Sequence, residues 1–208
     1  AVSDCVGIAL GDAYSDVDLL LFHASIGHNF NQLIEKAKDL APNAKILACS
    51  CGGVVGREGV SESMKDIALM AVKGKDFATS YVNDIYGSNA YQKALEMAKA
   101  LKAKNAGINM IYLLASGIDI DNDACIDAIE EVFGKDVTIF GATSSDNMKG
   151  IISYQAIDNK VLEHGAFLIG FADSSLKIET QATHGFVAIG EPMVVTKDHG
   201  HIIKEING

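Results

Sequence analysis

Leu19-Leu20-Leu21-Phe22-His23-Ala24-Ser25 and Met110-Ile111-Tyr112-Leu113-Leu114-Ala115-Ser116 are the two stretches on which the fold turns. Each is a near-continuous apolar run ending in serine, the pattern of a strand that enters a polar loop. Helical periodicity follows each run. After the first, Asn29 or Asn31 can cap a helix that buries Leu33, Ile34, Ala37 and Leu40, with Pro42 closing it. After the second, a helix from about Asp121 to Phe133 buries Cys125, Ile126, Ile129, Val132 and Phe133. The correspondence continues downstream. Ile46–Cys51 lines up with Ile139–Ser144, Ile67–Val72 with Ala166–Phe171, and Phe77–Val82 with Leu176–Gln181.

Two copies of one unit are therefore expected, at about residues 16–83 and 109–183, each running strand, helix, strand, small-polar loop, strand, strand. A helix capped by Ser88 and reaching about Lys104 links them, burying Ala94, Leu95, Ala98 and Leu101. Lys73-Gly74-Lys75 makes a tight turn between two strands of the first copy. The second copy adds a hairpin, Ile151–Ile157 and Val161–Glu163, turning at Asp158-Asn159. Too few helices are available to cover both faces of each sheet. The expected α/β architecture is mixed sheets packed on one another with helices outside, a layered α-β-β-α sandwich. The whole chain, 1–208, reads as a single domain whose residues 184–208 form a closing segment toward a further C-terminal domain.

Composition narrows the function classes. Of 208 residues 49% are hydrophobic and 21% charged, enough to bury a core and unlike a disordered chain. The net charge of −10 repels phosphate backbones and anionic lipid heads, so nucleic acid and membrane surfaces are poor partners. No apolar run is long enough to span a bilayer, and Ala1–Leu10 lacks the basic start of a signal peptide. The four cysteines, Cys5, Cys49, Cys51 and Cys125, are too scattered to staple a domain, which points to reduced, buried thiols and a cytoplasmic location. Cys49 and Cys51 alternate on a strand, point to opposite faces and cannot readily share a metal.

The local feature with the strongest chemical content is a small-polar turn in each half: Ser50-Cys51-Gly52-Gly53 and Thr143-Ser144-Ser145-Asp146. The first, within Ala48–Val54, resembles the turn after the second core strand of the FIST N-terminal domain family. The stretch Phe140–Asp146 resembles that family's second such turn. Thr183-His184-Gly185-Phe186, then Ile189-Gly190-Glu191-Pro192 and Val195-Thr196-Lys197, resembles its closing stretch. The likeness runs from about Asp16 to the end and departs at Val54, where the family usually carries an acid. It implies a cytoplasmic sensory module of a signal-transduction protein, partnered by a C-terminal FIST-type or output domain, with amino acids as suggested ligands.

Loops rich in glycine and hydroxyls at the carboxyl ends of strands offer backbone N–H groups and short donors to a small anion. The candidate ligand-binding residues are accordingly Ser50, Cys51, Gly52, Gly53, Thr143, Ser144 and Asp146, with Ser25 and Ser116 from the neighbouring strand ends. Arg57, the single arginine, offers a bidentate fork to a carboxylate, and His184 sits in the family-like closing motif. Against this stands a purely structural reading, in which small residues only permit tight turns and Arg57 is an exposed loop charge. His23, within an apolar strand, reads as a core histidine; His199 and His201, with His199 in the turn of a hairpin, make a poor metal site. No cofactor fingerprint is present. The alternative to a sensor of an amino acid or other small carboxylate is a small hydrolase or transferase. It would use a nucleophile such as Cys51 assisted by His23 or His184. No base flanks both turns at matching positions, which favours the sensor.

Overall fold

The computed structural model describes residues 1–11, 16–57, 59–118, 120–175, 179, 181, 183–199 and 202–208. Its chain forms two units, Ala1–Ile178 and Glu179–Gly208.

The first unit is built on two sheets. In one, β1 (Leu19–Ser25) lies between β2 (Lys45–Cys51), parallel to it, and β5 (Ile67–Val72), antiparallel to it. In the other, β7 (Met110–Ser116) lies between β8 (Thr138–Ser144), parallel, and β11 (Ala166–Phe171), antiparallel. The registers also agree. Ser25 faces Cys51 and Ala24 faces Ile67, just as Ser116 faces Ser144 and Ala115 faces Ala166.

Alternation along the central strands distributes side chains between two environments. Leu20, Phe22 and Ala24 meet α1 (Val2–Leu10) and α2 (Phe30–Leu40), packing with Val6, Leu33, Ile34 and Ala37. Ile111, Leu113 and Ala115 meet α3 (Ala90–Lys104) and α4 (Asn122–Phe133), packing with Leu101, Met97, Cys125 and Ile129. The remaining faces meet each other: Leu19, Leu21, Leu47 and Cys49 from one sheet against Tyr112, Leu114, Phe167 and Ile169 from the other. This is the expected four-layer α-β-β-α sandwich. It explains the unbroken apolar runs, since β1 and β7 are covered on both faces. Each large apolar side chain so buried contributes about 1.5–3 kcal/mol.

Each sheet is completed by strands from the other half. The short strands β9 (Gln155–Ile157) and β10 (Lys160–Leu162) extend the first sheet, β9 pairing with β2. β6 (Phe77–Val82) leaves β5 and joins the second sheet beside β11. The turn at Lys73-Gly74-Lys75 is thus a crossing between sheets, not a hairpin. It is held by a Gly74 N–H bond to Asp18 at 2.8 Å. The exchange also decides which strand edge is covered. β2 is buried because β9 lies beside it, whereas β8 ends its sheet and Phe140–Thr143 are exposed.

Local signals mostly act as read. Asn29 accepts from Gln32 N–H at 3.1 Å and Asp121 from Ala124 N–H at 3.0 Å, capping α2 and α4. Asn89, not Ser88, precedes α3, and its side-chain oxygen turns back to Tyr86 N–H at 2.8 Å. The hairpin before β11 starts at Gln155 and not Ile151, for a reason given below. A small hairpin, β3 (Val54–Gly56) and β4 (Gly59–Ser61), carries Arg57 in its turn. In the second unit, β12 (Val195–His199) pairs with β13 (Ile202–Ile206), so His199 is in a strand. His201, and Leu176 to Ile178 and Thr180 of the expected strand Leu176–Gln181, lie outside the described residues. No helix among the described residues is long and apolar enough to cross a membrane.

Candidate functional site

Because β1 and β2 are parallel, and β7 and β8 likewise, the two small-polar turns leave the carboxyl ends of their sheets. The sandwich brings them together: Ser145 N–H donates to Ser50 C=O at 2.9 Å. Ser50 is fully buried and tied further by exchange with Tyr154, whose N–H donates to Ser50 Oγ at 2.9 Å. Gly52 lies against the second turn; a Cβ there would sit 3.6 Å from both Ser145 Oγ and Asn147 Cα. Gly53 has no room for a side chain, since a Cβ would come within 2.9 Å of Ser61 C=O.

Beneath the turns runs a buried polar network. Ser116 Oγ lies 3.0 Å from Ser153 Oγ, and Ser144 Oγ is 3.0 Å from the same atom. Gln155, on β9 of the first sheet, reaches across to the second. Its Nε2 donates to Ser144 Oγ and to Ser153 Oγ, and its Oε1 accepts from Gly165 N–H at 2.9 Å. All four side chains are at most 1% exposed. Every polar atom named has a partner, so the network fixes the turns relative to each other and holds no reactive group. Gly117, beside it, passes so close that a Cβ would lie 2.2 Å from Ser144 C=O. Ser25, also buried, spends its hydroxyl on Ser63 C=O at 2.6 Å.

Asp146 organises the second turn. Oδ1 accepts from Lys149 and Gly150 N–H at 3.0 and 2.8 Å, Oδ2 from Ile151 and Ile152 N–H at 2.6 and 3.1 Å. These bonds, Ile151's foremost, hold its carboxyl down to about 2, against the opposing effect of burial. They also explain the late start of β9: the amides of Ile151 and Ile152 serve the carboxylate and cannot enter a ladder.

The thiols near the site are quiescent. His23 Nδ1 lies 3.2 Å from Cys49 Sγ, between the sheets. Burial pushes the Cys49 thiol up and the His23 imidazole down, so both favour their neutral forms. Cys51 is half-buried and its thiol is also raised, by burial and by Asp66, although Gly53 N–H works the other way. No disulfide forms among the described residues, and Cys49 and Cys125 are buried. The pairing of His23 with Cys51 that the hydrolase alternative would use is not made, and neither thiol has the depressed pKa of a nucleophile.

Of the remaining candidates, Thr143 is exposed on β8, and Arg57 is exposed in the turn of the β3–β4 hairpin. His184 belongs to the second unit, where its Nδ1 accepts from Phe186 N–H at 3.2 Å. Sequence reasoning missed Ser153 and Gln155, whose period-two spacing in Ser153-Tyr154-Gln155 was the available signal. It also missed His28, which leaves the same strand end as Ser25. Its Nε2 is buried with no hydrogen-bond partner. No group of His, Cys, Asp and Glu suited to a metal ion occurs among the described residues.

No curated protein matches the chain in sequence. The family model described as the FIST N domain matches residues 18–208, all but the first 17 residues of the chain. The two small-polar turns, the closing motif and this match agree: the chain belongs to the FIST N domain family, a family of sensory signal-transduction domains.

Proposed function

We propose that the chain is the ligand-binding part of a cytoplasmic sensor and that an amino acid or other small carboxylate binds over the paired turns. The observation that carries this reading is the meeting of Ser50 and Ser145. Two Gly- and hydroxyl-rich loops, distant in sequence, are joined at the carboxyl ends of both parallel strand pairs, where α/β proteins hold small ligands. Asp146 and the Ser116–Ser144–Ser153–Gln155 network preorganise the site and are not ligand contacts, since their polar atoms are spent. The contacts available are the Cys51 thiol, the Gly52 and Asn147 amides, the Ser145 hydroxyl, the unpartnered nitrogen of His28, and Arg57 at the hairpin above.

The sensor reading is favoured over a hydrolase because the site's thiols are protonated and its histidine–cysteine pair is neutral. Output passes through a C-terminal FIST-type or signalling domain.

A thermal-shift screen of amino acids and small carboxylates tests the proposal. A ligand at a hundredfold its dissociation constant stabilises the fold by about 2.7 kcal/mol. For a chain of this length that raises the melt by roughly 5–10 °C. Absence of any shift at millimolar concentration, in this chain and in a longer one carrying the partner domain, refutes it.

A further inference from the structure

A cavity of about 580 Å³ opens at the other end of the sandwich, where β1 and β2 begin. Lys38, Lys45, Lys75 and Lys104 line it, with Asp18, Asp158 and an apolar wall that includes Phe77. Four ammonium groups at one cavity are unexpected in a chain with net charge −10.

The two acids neutralise them only in part: Asp158 pairs with Lys45 and, at 4.0 Å, with Lys38, and neither acid pairs with Lys75 or Lys104 among the described residues. Asp18 accepts from Gly74 N–H at 2.8 Å, and Asp158 is taken by Lys45 and by Ile46 N–H. Lys38 and Lys104 do cap carbonyls, those of Ala44 at 2.8 Å and Thr79 at 2.6 Å. An ammonium has three donors, however, and each cap uses one. Lys75 has no hydrogen bond or ion pair at all among the described residues. Carbonyl contacts and the pairs with Asp158 therefore account for part of the cluster, and four lysines against two aspartates leave the cavity lining with two net positive charges.

We propose that this cavity binds a phosphorylated small molecule. Lys75, Lys104 and Lys38 receive the phosphoryl oxygens and Phe77 packs against the organic part. A cluster of lysines without a guanidinium fork suits a multiply charged, many-oxygen group better than a single planar carboxylate. The volume falls within the range of small-molecule sites and exceeds what inorganic phosphate fills. The site is separate from the paired turns and does not depend on the carboxylate reading.

The test is a titration of the whole chain with pyrophosphate, ADP and adenosine at constant ionic strength, without divalent ions, read by calorimetry and thermal shift. Pyrophosphate and ADP are expected to bind and raise the melt, and adenosine to do neither. K75A combined with K104Q, which keeps a donor for Thr79, is expected to weaken both by about tenfold or more. K75A alone, at a side chain without a partner, leaves the unliganded melt unchanged and weakens binding by itself. Failure of both phosphates to bind, or equal affinity in the double variant, overturns the proposal.

Discussion

Replacing Gln155 by Leu removes the side chain that ties the two sheets beneath the turns. Gln155 is fully buried and makes three hydrogen bonds, to Ser144, Ser153 and Gly165. Leucine nearly conserves its volume, so the cost comes from what is left unpaired. Gly165 N–H loses its partner in a site water does not reach, and a buried orphan costs about 1–3 kcal/mol. Ser144 and Ser153 keep each other and Ser116, so their loss is smaller, about 1 kcal/mol together. The sum, roughly 2–4 kcal/mol, lowers the melt of a chain this size by roughly 4–16 °C. Differential scanning calorimetry checks it, with Ser153→Ala as the milder companion at about 1 kcal/mol. A Gln155→Leu variant melting within a degree of wild type would refute the claim that this network holds the sheets in register.

Other expectations follow from single residues. Asp146 has a folded-state pKa of about 2 against an ordinary 3.8, so its contribution is complete above the higher value and is lost as pH falls through the lower. Asp146→Asn should therefore flatten the fall in melting temperature between pH 4 and pH 2, which melts across that range will show. Iodoacetamide on the native protein should leave Cys49 and Cys125 unmodified, because burial raises both thiols, Cys125 to about 12, while denaturation exposes all four. Arg57→Ala should change the unliganded stability by no more than about 0.5 kcal/mol, as an exposed loop charge, yet weaken a carboxylate ligand measurably in calorimetry.

The layers of this fold were legible because the strands at their centres are buried on both faces. Leu19–Ser25 and Met110–Ser116 could not be half-solvated strands, and the helices after them carry clear caps at Asn29 and Asp121. The exchange of β6 and of β9–β10 between sheets was not legible, since it depends on where a strand's partner lies and not on the strand's own pattern. Phe77–Val82 reads the same beside β5 or beside β11. For the site, the two turns stood out by composition, and the structure brings them into contact. The division of labour within them was hidden. Asp146 looks like a ligand group until its four backbone partners are counted, and Gln155 looks like an ordinary strand residue until it is found spanning the sandwich. The helix Val2–Leu10 gave little warning: it lacks a side-chain cap and buries only Val6 fully.

The most direct test of the paired turns as the ligand site is an amide-resolved NMR titration with an amino acid that shifts the melt. Saturable shifts should concentrate on Cys51–Gly53, Ser145–Asn147 and His28, with the amides of Lys45 and Lys75 at the far end unmoved. Saturable binding whose shifts fall instead on the lysine-lined end, or are absent from both turns, would contradict the account.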